Sequence, residues 1–416
     1  MSLVLNTNIS SLQAQNNLSK SSSALSTATE DLSSGLKVNS AADNAAGYAI
    51  ATRFQTQIGG LGQASENASD AINLAQTAGS ALSQITSNLQ SIRDLAVQAA
   101  NGTYQSSDRA AINTSVQQYL SEITRIANQT TFNGTNVLNG STSSLSFQIG
   151  ANVGQAINVQ LGQGVTTGQV GQISEVSTAN VSGAFVDASG NSGASLSLSG
   201  LSITGANGSS YTFSGNVTAT NAQGLADDIN AAGINGVSAA VNASGGINIY
   251  STGELAVSGA ALTGGVTNSS TGAAFNFTSN AVAFGASGIG STATGLAATG
   301  VSYTNGVALS ASGSLTGADV LSVDDANQLI ARVDAALTTV SNFSSTLGAV
   351  QNRFQSTIST LSAQQTNLTS SQSSIQDTDF AATTAKLSQA QVLQQAGISV
   401  LATANSVPQQ ILKLLQ

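Results

Sequence analysis

Residues 61–99 read LGQASENASDAINLAQTAGSALSQITSNLQSIRDLAVQA. Leu61, Ala64, Ala68, Ala71, Ala75, Ala78, Leu82, Ile85, Leu89, Ile92, Ala96 and Ala99 follow one another at unbroken steps of three and four. That spacing gathers apolar side chains on one stripe of an α-helix. The helix it predicts is roughly 58 Å long at 1.5 Å per residue. So narrow a stripe is a coiled-coil-like seam, and the alanines early in it let a partner helix come close.

The same rhythm recurs along the chain. Ile112, Val116, Tyr119, Ile123 and Ile126 predict a shorter helix, with a break between the two at Asn101 and Gly102. A third long stripe runs through Ala326, Leu329, Val333, Ala336, Val340, Phe343, Leu347, Val350, Phe354, Thr357, Leu361, Gln364 and Leu368, interrupted only by Thr357 and Gln364. Stripes so far apart in sequence bury one another, which predicts an antiparallel bundle built from both ends of the chain. The extreme ends add a seam of Ala390, Leu393, Gly397, Val400, Ala404, Val407, Ile411 and Leu414, and a looser one of Leu5, Ile9, Leu12, Leu18, Leu25, Ala28 and Leu32. Pro408 predicts a kink or a helix end in the first of these. Two helices make a thin pair, so much of this apolar surface stays exposed in a single chain. Full burial of one Val, Leu or Ile is worth about 1.5–3 kcal/mol, enough for a row of them to drive association.

From Leu145 the period changes to two. Leu145, Phe147 and Ile149, then Ile157, Val159 and Leu161, read as hairpin strands. Residues 176–318 are rich in Gly, Ser, Ala, Thr and Asn but keep short alternating runs at Leu196, Leu198 and Leu201, at Tyr211 and Phe213, and at Ile247 and Ile249, with one short helix near Leu225 to Ala232. A β-rich region fits these better than disorder. The expected class is therefore α+β: a long antiparallel helical bundle or coiled-coil rod from both chain ends, with a β-rich outer region inserted between them. The expected divisions are 1–45, 46–175, 176–318, 319–370 and 371–416.

Composition narrows the function. The 416 residues include no Cys and no His, and only 7% are Asp, Glu, Lys or Arg. Thiolate nucleophiles, imidazole bases, disulfides and the usual zinc ligands are thereby removed, and no cofactor is expected. The net charge is −9, and no Lys or Arg lies between Arg125 and Arg332, so nucleic acid is not an expected partner. No run approaches the apolar length of a membrane span. The first basic residue is Lys20 and no long apolar run follows the start, so a cleavable secretory signal is not expected. Asp227 with Asp228 and Asp324 with Asp325 read as acids at helix starts, because helical neighbours point about 100° apart and no further ligand completes a metal shell. Gly59 and Gly60 read as a turn or a thin helix contact.

Both ends resemble bacterial flagellin. The resemblance is carried by LNTNISSLQAQNNL (5–18), LSSGLKVNSAADNAAGYAIATRF (32–54), IRDLAVQAANGTY (92–104), FQIGANVGQAINV (147–159), LGAVQNRF (347–354), IQDTDFA (375–381) and AQVLQQAGISVLATANSVPQQILKLLQ (390–416). It covers roughly residues 1–175 and 320–416, and the centre matches only loosely. The resemblance implies a secreted structural subunit that is not an enzyme: terminal helices lining an inner tube, the bundle forming an outer tube, and the centre facing solvent. It implies export in an unfolded state and terminal segments that order on assembly. The implied partners are further copies of the chain in a helical homopolymer, the flagellar export apparatus and its chaperone, and hook-associated and cap proteins. By the same resemblance Leu393, Val400, Val407 and Leu414 lead the expected assembly contacts, joined by Leu5, Ile9, Leu12 and Ile411. The segment from Gln90 to Asn101 resembles a site read by an animal Toll-like receptor, here with Ile92, Arg93 and Leu95. Ser91 and Ser115 stand where strong agonists carry Arg and Glu. Asp31, Ala42, Glu66 and Ser374 replace basic residues common in relatives, so some of the family's ion pairs are absent. Two other readings stay open at this point: a hook-associated junction protein with the same end architecture, and a surface-binding module in the central region.

Overall fold

The computed structural model describes residues 8–177, 185, 196–198, 201–214, 217–253, 255–259, 285–286 and 314–414, with backbone alone at 408–414 and at a few strand positions. Among the described residues six α-helices occupy the ends and one point of the centre: α1 (Ile9–Ser34), α2 (Ala45–Ala99), α3 (Ser106–Gln129), α4 (Ala222–Ala231), α5 (Val323–Gln376) and α6 (Phe380–Leu414). The chain forms two compact units, one of Met1–Ser69, Gln148–Ile157 and Gln355–Gln416, the other of Asp70–Phe147 and Asn158–Phe354.

In the first unit α1 and α6 run antiparallel, with Asn8 beside Ala404 and Leu18 beside Gly397. The positions of α1 withdrawn from solvent are Ser11, Ala14, Leu18, Ser21, Leu25, Ala28 and Leu32, a three-four line, with Asp31 beside its last member. At the far end Gly35 ends α1 in the left-handed conformation at φ 75°, its N–H donating to the Asp31 carbonyl, a backbone state open to glycine at little cost. Beyond it the chain forms a short bridge to the turn before α6: the Lys37 N–H donates to the Gln376 carbonyl at 2.7 Å and the Thr378 N–H to the Gly35 carbonyl at 3.0 Å. The start of α2 lies antiparallel to the end of α5, through Leu61, Ala64, Leu361 and Leu368 and a 2.9 Å hydrogen bond from Gln372 to Gln55. The expected thin contact is at Gly60, where an added Cβ would come within 2.9 Å of the Ala151 methyl.

In the second unit the remaining seam of α2 is fully buried from Ala71 to Ala99, as is that of α5 through Ala326, Leu329, Val333, Ala336, Val340, Phe343, Leu347 and Phe354. The Phe354 ring meets Phe147 edge-on, with centroids 5.8 Å apart. On α3 the buried line is Val116, Leu120, Ile123 and Ala127, rotated from the expected one; Ile112, Tyr119 and Ile126 are only half-buried. The apolar stripe there is broad, and its neighbours bury the middle of it.

Thirteen short strands are described: β1 (Thr131–Phe132), β2 (Thr135–Asn136), β3 (Ser144–Gln148), β4 (Ala156–Gln160), β5 (Ser174–Ser177), β6 (Leu196–Ser197), β7 (Leu201–Thr204), β8 (Ser210–Thr212), β9 (Thr218–Ala219), β10 (Val237–Val241), β11 (Ile247–Ser251), β12 (Ala256–Gly259) and β13 (Gly285–Ala286). The expected hairpin is β3 with β4. In the centre, sheets ordered β10-β11-β5-β13 and β12-β7-β8 enclose a core of Val176, Ile203, Phe213, Leu225, Ile229, Ile247 and Ile249. The Asn230 side chain on α4 both donates to and accepts from the backbone of Ala239 on β10, at 2.8 and 2.7 Å.

Two expectations are corrected. Asp227 and Asp228 do not start a helix: they are the sixth and seventh residues of the ten-residue α4, which begins at Asn221 with its side chain accepting from the Gly224 N–H. Asn221 caps the helix start, where the carboxylates were expected to lie. Asp324 and Asp325 do lie in the first turn of α5, where Asp325 and Ser322 bond each other's backbone reciprocally. Nor does Pro408 end a helix, since α6 continues to Leu414.

Candidate assembly surface

Among the described residues fourteen large apolar side chains stand exposed, and eight of them belong to α1 or α6. The concentration follows from the way α6 meets α1. Between Ala390 and Ala404 its positions withdrawn from solvent are Ala390, Gln394, Gly397, Leu401 and Ala404. The expected seam therefore splits: Ala390, Gly397 and Ala404 turn toward α1, while Leu393, Val400 and Val407 stand aside, 49%, 58% and 48% exposed. Each lies three residues beyond a packed position, about 60° round the helix at 100° per residue. Val392 and Ile398, which no seam contained, are also exposed, at 64% and 55%. Measured from Ala390 they lie about 160° and 80° round, so α6 is apolar on nearly every side. A helix of that kind is normally surrounded, yet among the described residues α1 covers one face alone.

On α1, Ile9 and Leu12 are exposed at 67% and 52%. The Leu5 expectation lies outside the described residues, as do the side chains of Ile411 and Leu414. No charged residue occurs in 1–19 or in 387–412. Covering these faces thus requires the desolvation of no ion, the largest cost in burying a surface. The polar residues around them are Gln, Asn, Ser and Thr, whose hydrogen bonds re-form with a partner of the same composition.

The segment expected to resemble a receptor site is divided. Ile92 is fully buried. Arg93 is held by Asp334, its Nε donating to Oδ1 at 2.7 Å and Nη2 to Oδ2 at 3.4 Å; that hydrogen bond, with the charge behind it, raises the Arg93 pKa. Leu95 lies half-buried in a groove with Asn88, Ser91, Asp94, Tyr119 and Glu122. Asn88 is buried there with its amide nitrogen unpartnered.

Sequence patterns did not reveal the polar knot under the β region. Arg332, on α5, is 6% exposed and donates through Nη1 to the Ser314 carbonyl at 2.7 Å. Burial pushes its guanidinium down, and the nearby charge of Glu175 acts against that shift. Burial pushes the Glu175 carboxyl up, opposed by a 2.6 Å hydrogen bond from Gln328. The available signal was charge isolation: Arg332 is the first cation after Arg125. No group of three or more His, Cys, Asp or Glu suited to a metal occurs among the described residues, and among them no helix is long and apolar enough to cross a membrane.

Comparison with known proteins gives a consistent family. Residues 5–143 match the bacterial flagellin N-terminal helical region and residues 330–415 the bacterial flagellin C-terminal helical region. The chain is 37% identical to the B-type flagellin of Pseudomonas aeruginosa and 36% identical to the flagellin of Salmonella typhimurium, with 100% of each chain covered in both cases. A solved structure of FliC from Burkholderia pseudomallei is 28% identical, with a TM-score of 0.37, covering 68% of this chain and 99% of that one.

Proposed function

This chain belongs to the bacterial flagellin family, and from that membership we propose that the uncovered faces of α1 and α6 are the surfaces by which its copies join into a filament. Flagellins are structural proteins and not enzymes, and the chain is a subunit of the extracellular flagellar filament that serves motility. The observation that carries the assembly surface is α6 itself, apolar on nearly every side and covered on one. The absence of charge from both terminal stretches supports the same surface.

In this reading Ile9, Leu12, Leu393, Val400 and Val407 are assembly contacts, with Leu5, Ile411 and Leu414 extending the same stripes. Residues 1–45 and 371–416 form the inner-tube part, 46–175 and 319–370 the rod, and 176–318 the outer region. The chain leaves the cell unfolded through the export apparatus, escorted by a chaperone. Its terminal segments order as copies are added, which couples folding to binding. Hook-associated and cap proteins contact the two ends of the growing polymer through the same helices. Recognition by a Toll-like receptor is expected to be weak, since Ser91 and Ser115 offer no charge and Arg93 is engaged by Asp334.

Seeded elongation followed by electron microscopy tests the reading, with the intact chain beside one lacking residues 386–416. Long tubes from the intact chain alone support it. Soluble monomers from both overturn it in favour of a junction or binding role.

A further inference from the structure

Pro408 lies inside α6, which continues to Leu414. In an α-helix the N–H of residue i donates to the carbonyl of residue i−4. Proline has no N–H, so the Ala404 carbonyl is left without its helical donor. A freed carbonyl in a partly covered site calls for another donor.

Asn8 supplies it. Its Nδ2 donates to the Ala404 oxygen at 2.8 Å, while its Oδ1 accepts from the Ser11 N–H at 3.1 Å and so caps α1. Beside it the Ser11 hydroxyl donates to Asn405 Oδ1 at 2.7 Å. One amide thus starts α1 and fills the gap that Pro408 opens in α6.

The position gives this bond a task. Among the described residues the other backbone tie in this helix pair is the bridge between Leu36 and Asp377, roughly 40 Å away along α1 at 1.5 Å per residue. Between them small residues alternate with evenly spaced leucines, a repeat that fits itself in more than one register: Ala14, Leu18, Ser21, Leu25, Ala28 and Leu32 against Leu387, Ala390, Gln394, Gly397 and Leu401. Such a seam tolerates slippage and fraying, and a single polar contact at a fixed place is what sets register in paired helices. We propose that Asn8 and Pro408 act together as a latch that fastens the free end of the terminal helix pair in its assembly-competent register. Asn8 is a positioning residue, and the proline provides the acceptor it reads. The latch rests on the assembly reading above.

Asn8→Ser separates latch from cap. The serine oxygen still caps α1, adds no charge to the uncharged terminal surface, and carries no amide N–H to reach the Ala404 oxygen. In seeded elongation of the full-length protein, Asn8→Ser raises the monomer concentration at which growth stops about tenfold, the size expected for one lost hydrogen bond. In a Pro408→Ala background the introduced residue brings the missing N–H, and the same Asn8→Ser change costs less than about twofold. Equal elongation of Asn8→Ser and the intact chain overturns the latch, as does a penalty unchanged by Pro408→Ala. An intact chain that does not elongate overturns the assembly reading and the latch with it.

Discussion

Val400→Asp places a carboxylate on the uncovered face of α6, and its effect on the filament can be worked from exposure and charge. Val400 is 58% exposed in the single chain. Valine and aspartate differ little in helix propensity, so the monomer is expected to lose well under about 1 kcal/mol. In the filament the rest of the side chain is covered, which for valine is worth roughly 1 kcal/mol, about half of full burial. The aspartate forfeits that and must also lose its charge, because no Lys or Arg lies in 387–412 to pair with it. Protonation at pH 7 of a group that titrates near 3.9 costs about 4 kcal/mol, at 1.36 kcal/mol per pH unit. The sum, about 5 kcal/mol per subunit, raises the critical concentration between about a thousandfold and ten-thousandfold. The sign with pH follows: a carboxyl whose pKa is raised in the filament weakens it above the free value and not below. The gap between Val400→Asp and the intact chain therefore closes as pH falls toward about 4. Sedimentation of seeded polymer gives the critical concentration, and circular dichroism of the monomer gives its melting. Val333→Asp, at a fully buried position, is the contrast that unfolds the monomer. Normal tubes from Val400→Asp, or a monomer that melts as early as Val333→Asp, would refute the reasoning.

Three further outcomes concern stability. Gly59→Ala, which meets nothing within 4 Å, is expected to stabilise by about 1 kcal/mol as a helix interior usually does, whereas Gly60→Ala meets the Ala151 methyl at 2.9 Å and destabilises; adding Ala151→Gly to the latter restores the loss, and denaturant titration reads all three. Phe354→Ala removes a fully buried ring and its edge-on contact with Phe147, at an expected cost of about 3–5 kcal/mol in the same titration. Glu175→Gln tests the buried knot. Burial raises the wild-type carboxyl above 4.5, so the folded state binds its proton more tightly and stability falls as pH climbs from that value through the raised one. Thermal melts from pH 4 to 8 should show the variant gaining on the intact chain as pH rises, and a gap moving the other way would show that pairing with Arg332 outweighs desolvation.

The long helices were legible because three-four periodicity is a local property of the chain. Every seam residue named between Leu61 and Ala99 is buried, and on α5 the interruptions at Thr357 and Gln364 fall where the helix surface is only half-covered or exposed. The same rule misplaced the face of α3, where Ile112, Tyr119 and Ile126 form as good a stripe as the buried Val116, Leu120, Ile123 and Ala127. It also merged two faces of α6 into one seam and passed over Val392 and Ile398, since periodicity orders residues around an axis without saying which direction a neighbour will cover. Pro408 does not end the helix, one of the two outcomes expected of it, for a related reason. Its cost is a missing hydrogen bond, and Asn8, 400 residues away, provides a donor for the carbonyl it frees.

By itself the sequence determined that both ends are helical, that the centre changes to a period of two, that the termini carry uncharged apolar stripes, and that the residue types of most catalytic chemistry are missing. Those are properties of order and composition, and they persist in any conformation. Only the tertiary structure decided which side of each stripe is covered, that Arg332 and Glu175 share a buried knot, and that Asn8 meets the carbonyl behind Pro408. Burial and hydrogen bonding at these positions depend on distances between residues remote in the chain, and no local spacing contains them.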